Sequence, residues 1–158
     1  MSVDTIGKIE RLLSDVESAY GEYLTVAIDM TSATWNTVAV HEVLTVTGLV
    51  HLKFVIECTA DLASVGAPTI QCGHETDTDL YVANTAFADI DVNELWYSAT
   101  PSAEGATSSA IVDRVINGLD VGYEILVAAL TGGSLLFHVY WKPLENEASV
   151  VAGAGGVM

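Results

Sequence analysis

The chain has 158 residues and a mass of 16.7 kDa, enough for one domain with its own core and too little for two. Its 21 acidic and 5 basic side chains give a formal net charge of -16, which argues against a broad nucleic-acid-binding face, because neutralising phosphates takes clustered Lys and Arg. A disordered acidic chain is excluded as well: 51% of residues are hydrophobic and only 16% are charged, whereas disorder needs low hydrophobicity together with high charge.

Residues 1–22 read as a short N-terminal α-helix. Ile6, Ile9, Leu13, Val16 and Tyr20 recur at intervals of three and four, an a/d heptad pattern, with Lys8, Glu10, Arg11, Asp15 and Glu17 on the solvated side. Asp4 or Thr5 can cap its start and Gly21 can close its end. These five apolar residues form either an oligomerisation seam or the packed face of an amphipathic helix on its own domain. Isoleucine at both a and d in the first heptad leans toward three strands.

From residue 23 the period drops from helical to two. Runs rich in β-branched residues predict strands over 23–29, 40–47, 49–59, 69–72, 79–83, 95–98, 110–116, 121–130 and 134–142. Thr47-Gly48 reads as a tight hairpin or a strong bend, and Thr131-Gly132-Gly133 as a hairpin turn joining the last two strands. Strands at this spacing, without βαβ units, predict a mainly β fold: an antiparallel β-sandwich or jelly roll over 23–144. Residues 145–158, ending in Ala152-Gly153-Ala154-Gly155-Gly156, cannot form a core alone and are expected to be a flexible tail or an arm laid over a neighbour.

The longest unbroken apolar run, Ile125 to Leu130, is far shorter than the roughly 20 residues of a spanning helix. The first eight residues lack the basic and apolar regions of a signal peptide, so synthesis in the cytoplasm is expected, with no membrane partner. Cys58 and Cys72, the only cysteines, fall in strand-like runs and read as buried free thiols.

Chemistry-bearing constellations are sparse. His41, His51, His74 and His138 have no metal-site spacing, and there is no Cys-x-x-Cys. The acidic loops 74–79 and 89–94 offer oxygens to a hard cation; the second opens as Asp89-x-Asp91-x-Asn93 but then departs from the EF-hand pattern with Glu94 at the sixth position and Thr100 at the twelfth. Solvated acidic loops are the simpler reading. No nucleophile elbow, phosphate-cradling loop or dinucleotide fingerprint is present, so no catalytic, cofactor-binding or metal-ligating residue is assigned. In the last strand, alternation puts Phe137, Val139 and Trp141 on one face, as core.

Several stretches, taken in order, carry a resemblance. They are Thr31-Ser32-Ala33-Thr34-Trp35-Asn36-Thr37-Val38-Ala39, His41-Glu42-Val43, Thr45-Val46-Thr47-Gly48, Glu57-Cys58-Thr59, Glu94-Leu95-Trp96 and Ala99-Thr100-Pro101. Gly118-Leu119-Asp120-Val121-Gly122-Tyr123-Glu124, Ala129-Leu130-Thr131-Gly132-Gly133, Trp141-Lys142-Pro143-Leu144 and the glycine-rich end complete the set. Over roughly residues 23–156, their order and spacing resemble small virion structural proteins of tailed bacteriophages, of the capsid-decoration (cement) or head-fibre type. The resemblance implies a non-enzymatic, trimeric β domain in the virion, assembled in the host cytoplasm and bound to the major capsid protein, with residues 1–22 either threading a three-fold coil or docking on that protein. It supplies no catalytic residues. Two other function classes stay open: a receptor- or glycan-binding fibre module, and a small hydrolase whose carboxylates are paired only by geometry.

Overall fold

A computed structural model describes residues 21–158. The expected N-terminal helix and its seam, Ile6, Ile9, Leu13, Val16 and Tyr20, lie outside the described residues. Ten strands follow in chain order: β1 (Glu22–Asp29), β2 (Val40–Thr47), β3 (Leu49–Ala63), β4 (Thr69–His74), β5 (Asp77–Ala86), β6 (Leu95–Trp96), β7 (Val112–Asn117), β8 (Val121–Leu126), β9 (Gly132–Pro143) and β10 (Ser149–Ala152). They form two five-stranded antiparallel sheets. Sheet A runs β1-β9-β3, with β3 continuing to both β6 and β7, and sheet B runs β10-β2-β8-β4-β5.

The chain passes between sheets at most of its connections. At Thr47-Gly48 it bends from sheet B into sheet A, with Gly48 at φ +68, a left-handed conformation that glycine adopts without steric cost. That choice makes β3 the spine of sheet A, paired with β9 along nearly its whole length. The β3 side chains alternate: Val50, Leu52, Phe54, Ile56 and Cys58 are buried, while Leu49, His51, Lys53, Val55 and Glu57 face outward. In β2 a register shift between Glu42 and Leu44 breaks that alternation, so Val43 and Leu44 are both buried.

Buried residues from both sheets belong to one core cluster. Phe54 of sheet A meets Tyr81 of sheet B edge-on at 5.7 Å between ring centroids, and packs beside Phe137 at 5.9 Å. Trp96 on β6 donates its indole N–H to Thr85 Oγ1 on β5 at 3.0 Å, satisfying a donor that would otherwise be lost in the core. Phe137 and Val139 are fully buried and Trp141 nearly so, as their alternation predicts. Cys58 and Cys72 are buried free thiols.

Three sequence expectations need correction. Thr131-Gly132-Gly133 is not a hairpin, because β8 and β9 lie in different sheets. The strand predicted to reach residue 130 ends at Leu126, where Val127 turns the chain with φ 75. The crossing segment then spends its amides elsewhere: Leu130 N–H donates to Asn36 C=O and Thr131 N–H to Ala63 C=O. Residues 145–158 are not a loose tail either. Within them β10 pairs with β2, and the glycine-rich end continues along the same strand through Gly153 N–H to Val43 C=O, Glu42 N–H to Gly156 C=O and Met158 N–H to Val40 C=O. Backbone pairing, which composition does not register, holds this segment down.

Candidate functional site

The outward side of sheet A is the most chemically developed surface of the described residues. Strand register builds it. Tyr23 on β1 stands opposite Tyr140 on β9, which stands opposite Lys53 on β3, which stands opposite Asp113 on β7. One row of the sheet thus carries two phenols, an ammonium and a carboxylate in sequence.

Two hydrogen-bonded groups fix this row. In the first, His138 bridges two strands: its Nε2 lies 2.7 Å from Glu57 Oε2, and its Nδ1 lies 2.8 Å from the Tyr23 hydroxyl. The neutral tautomer protonated at Nε2 donates to Glu57 and accepts from Tyr23. The ring of Tyr23 sits 4.7 Å from that of Tyr140, tilted by 38°. In the second, Asp113 accepts from His51 Nε2 at 2.5 Å and from Lys53 Nζ at 3.1 Å. The hydrogen bond from His51, then that from Lys53, holds the Asp113 carboxyl below the ordinary carboxylate range.

Charge is distributed unevenly between the sheets. The cationic side chains of the described residues are Lys53, Arg114 and Lys142, and all three lie on strands of sheet A. The strands of sheet B carry Glu42, Asp77, Asp79 and Glu124 with no Lys or Arg. On the outer side of sheet A, Lys53 is paired and Lys142 adds a further cation beside the apolar Leu49, Val55, Val115 and Leu136. Sheet A has acids too, Glu22, Asp29, Glu57, Asp61 and Asp113, so its outer side is a mixed-charge face where that of sheet B has acids without Lys or Arg. Tyr23 and Tyr140 are each about half exposed, at 52% and 53%, so their rings are available for contact.

Reading the sequence identified the inward half of β9 and missed the outward half. The same alternation that buries Phe137, Val139 and Trp141 places His138, Tyr140 and Lys142 on the opposite side. That signal was in the sequence; the partners Tyr23, Glu57 and Asp113 come from strand order, which alternation does not specify. The remaining histidines are elsewhere. His41 is fully buried with Nε2 2.8 Å from Thr37 C=O, and His74 Nδ1 accepts from Thr76 N–H at 3.3 Å.

In the second acidic loop a carboxylate is used locally. Glu94 Oε2 accepts from Asp91 N–H at 3.0 Å and Asp61 Oδ1 accepts from Val92 N–H at 2.7 Å, which organises 89–94 as a hydrogen-bonded turn. Among the described residues no group of three or more His, Cys, Asp or Glu is arranged to hold a metal ion. Burial pushes the Cys58 thiol up to about 11, and burial raises Cys72 further, so both are protonated and weakly reactive at neutral pH.

No protein-family model matches the chain, and no curated protein or solved structure matches it.

Proposed function

We propose that this chain is a non-enzymatic virion protein of a tailed bacteriophage, a trimeric decoration protein that binds the outer surface of the head through the outward side of sheet A. In this reading the two sheets stack as a β-sandwich of jelly-roll type, supported by the single core cluster to which both contribute. The observation that carries the proposal is the row Tyr23, Tyr140, Lys53 and Asp113 with its bridging His138 and Glu57.

Such a surface suits a protein partner. It is a broad sheet face, and its aromatic and paired polar side chains are already held by hydrogen bonds, which lowers the entropy cost of docking. Half-exposed tyrosines beside satisfied polar groups are among the residue types enriched in interface hot spots. Three subunits engaging together would gain avidity from effective concentration, so each contact can be modest. The acids of sheet B would then face outward and discourage particles from clumping. The five-residue seam Ile6, Ile9, Leu13, Val16 and Tyr20 is the proposed trimer contact.

Co-sedimentation with undecorated heads built from the major capsid protein tests this directly. The wild-type protein should pellet with the heads, and the double variant Tyr23→Ser/Tyr140→Ser should bind at least about tenfold more weakly, as loss of interface hot spots does. Light scattering should give the mass of a trimer. No binding to heads, or unimpaired binding by the double variant, contradicts the assigned face, and a monomer at micromolar concentration contradicts the trimer.

A further inference from the structure

The two sheets leave an open side where β5, the last strand of sheet B, faces β7, which pairs only with β3 in sheet A. A cleft of about 460 Å³ lies there, walled by Tyr81 and Arg114 and rimmed by residues 108–111. Arg114 shares the inward register of Val112 and Ile116, but at the sheet edge its guanidinium reaches across to sheet B, where it sits 5.8 Å from the Tyr81 ring centroid.

Several donors in this cleft are unused. Arg114 makes one long hydrogen bond, from Nη2 to Leu80 C=O at 3.4 Å, out of the five its planar fork can donate. No carboxylate of the described residues forms an ion pair with it, although acids outnumber bases 21 to 5 in the chain. Asp113, its neighbour on β7, is committed on the outer side to His51 and Lys53. Tyr81 is 8% exposed, and its buried hydroxyl has no hydrogen-bond partner among the described residues. A buried hydroxyl left unsatisfied is uncommon and costly. The rim adds the hydroxyl of Ser108, while that of Ser109 is already paired with Thr107 Oγ1 at 3.1 Å. Asp113 also lines the cleft, but its carboxylate is held by His51 and Lys53; the spare donors of Arg114 and Tyr81 describe half of a recognition site, and the missing half is an anion with several oxygens.

We propose that this cleft binds a small oxyanion, a carboxylate or a phosphate, held by the Arg114 fork, the Tyr81 hydroxyl and the Ser108 hydroxyl. A guanidinium takes either anion in a two-pronged geometry that a lysine cannot reproduce. Residues 108–111 line the cleft, so binding registers in the amides of that loop. The cleft is separate from the outward side of sheet A, so its failure would leave the head-binding reading standing.

The test is a titration of the full chain with inorganic phosphate and, separately, with acetate, followed by amide chemical shifts at 108–114. Sodium chloride at matched ionic strength is the reference. Saturable shifts with either anion are expected, phosphate alone or acetate alone identifying which oxyanion the cleft takes. Arg114→Gln should weaken the affinity at least about tenfold, and Arg114→Lys should fall between it and wild type. Shifts that never saturate, that chloride reproduces, or that persist unchanged in Arg114→Gln would overturn the proposal.

Discussion

Single hydrogen bonds connect the two sheets at identifiable places. Trp96 donates its buried indole N–H to Thr85 across the core, and no apolar replacement can accept it. Thr85→Val keeps the shape but strands that donor, so the variant should lose about 1–3 kcal/mol in denaturant unfolding. An unchanged midpoint would show that the bond is not holding the sheets together. On the outer side of sheet A the equivalent test is electrostatic. Asp113 is held below the ordinary carboxylate range by His51 and Lys53, so its contribution to stability is complete above that range. It is lost as pH falls through the lowered folded-state value. Midpoints measured across the acid limb should therefore fall less steeply in Asp113→Asn than in wild type; identical slopes would mean the pair contributes nothing.

At the scale of elements, alternation and turn chemistry reveal different amounts. A strand stands at each of the eight or nine places expected, the optional one at 95–98 being only Leu95–Trp96. In β1, β3 and β9 burial of every second side chain leaves a local trace that needs no knowledge of the partner. Turns were less legible. Thr131-Gly132-Gly133 has hairpin composition, yet Gly133 with φ +99 serves a crossing between sheets: a Cβ there would lie 2.5 Å from Asp61 C=O. Glycine reports permissive backbone, and close approach of a distant strand demands it as readily as a hairpin does. The C-terminal segment was misread for the same reason. Gly155 has φ +77 and lies against the Trp35 ring, where any side chain would collide, whereas Gly156 has open space around its Cβ position. Gly155→Ala should thus cost more than about 1 kcal/mol in thermal unfolding while Gly156→Ala stays close to neutral. Equal effects at both positions would mean that the segment does not pack along β2.

For the molecule as a whole, the net charge of -16 resolves into an arrangement. Sheet B strands carry acids alone, and the cations of the described residues gather on sheet A, whose outer side also presents Tyr23 and Tyr140. The candidate face was half legible in the sequence, since β9 alternation separates His138, Tyr140 and Lys142 from the core; its other half, Tyr23, Glu57, Lys53 and Asp113, is assembled by non-local register from three further strands. One acidic side and one ion-paired, aromatic side are what a protein needs to coat an assembly while leaving its outer surface repulsive. The most direct test of the proposed decoration role is the copy number of this chain in purified tailed-phage particles from a host that produces it, by quantitative peptide mapping. Decoration of the head predicts hundreds of copies per particle, and a count of only a handful, or none, would contradict it.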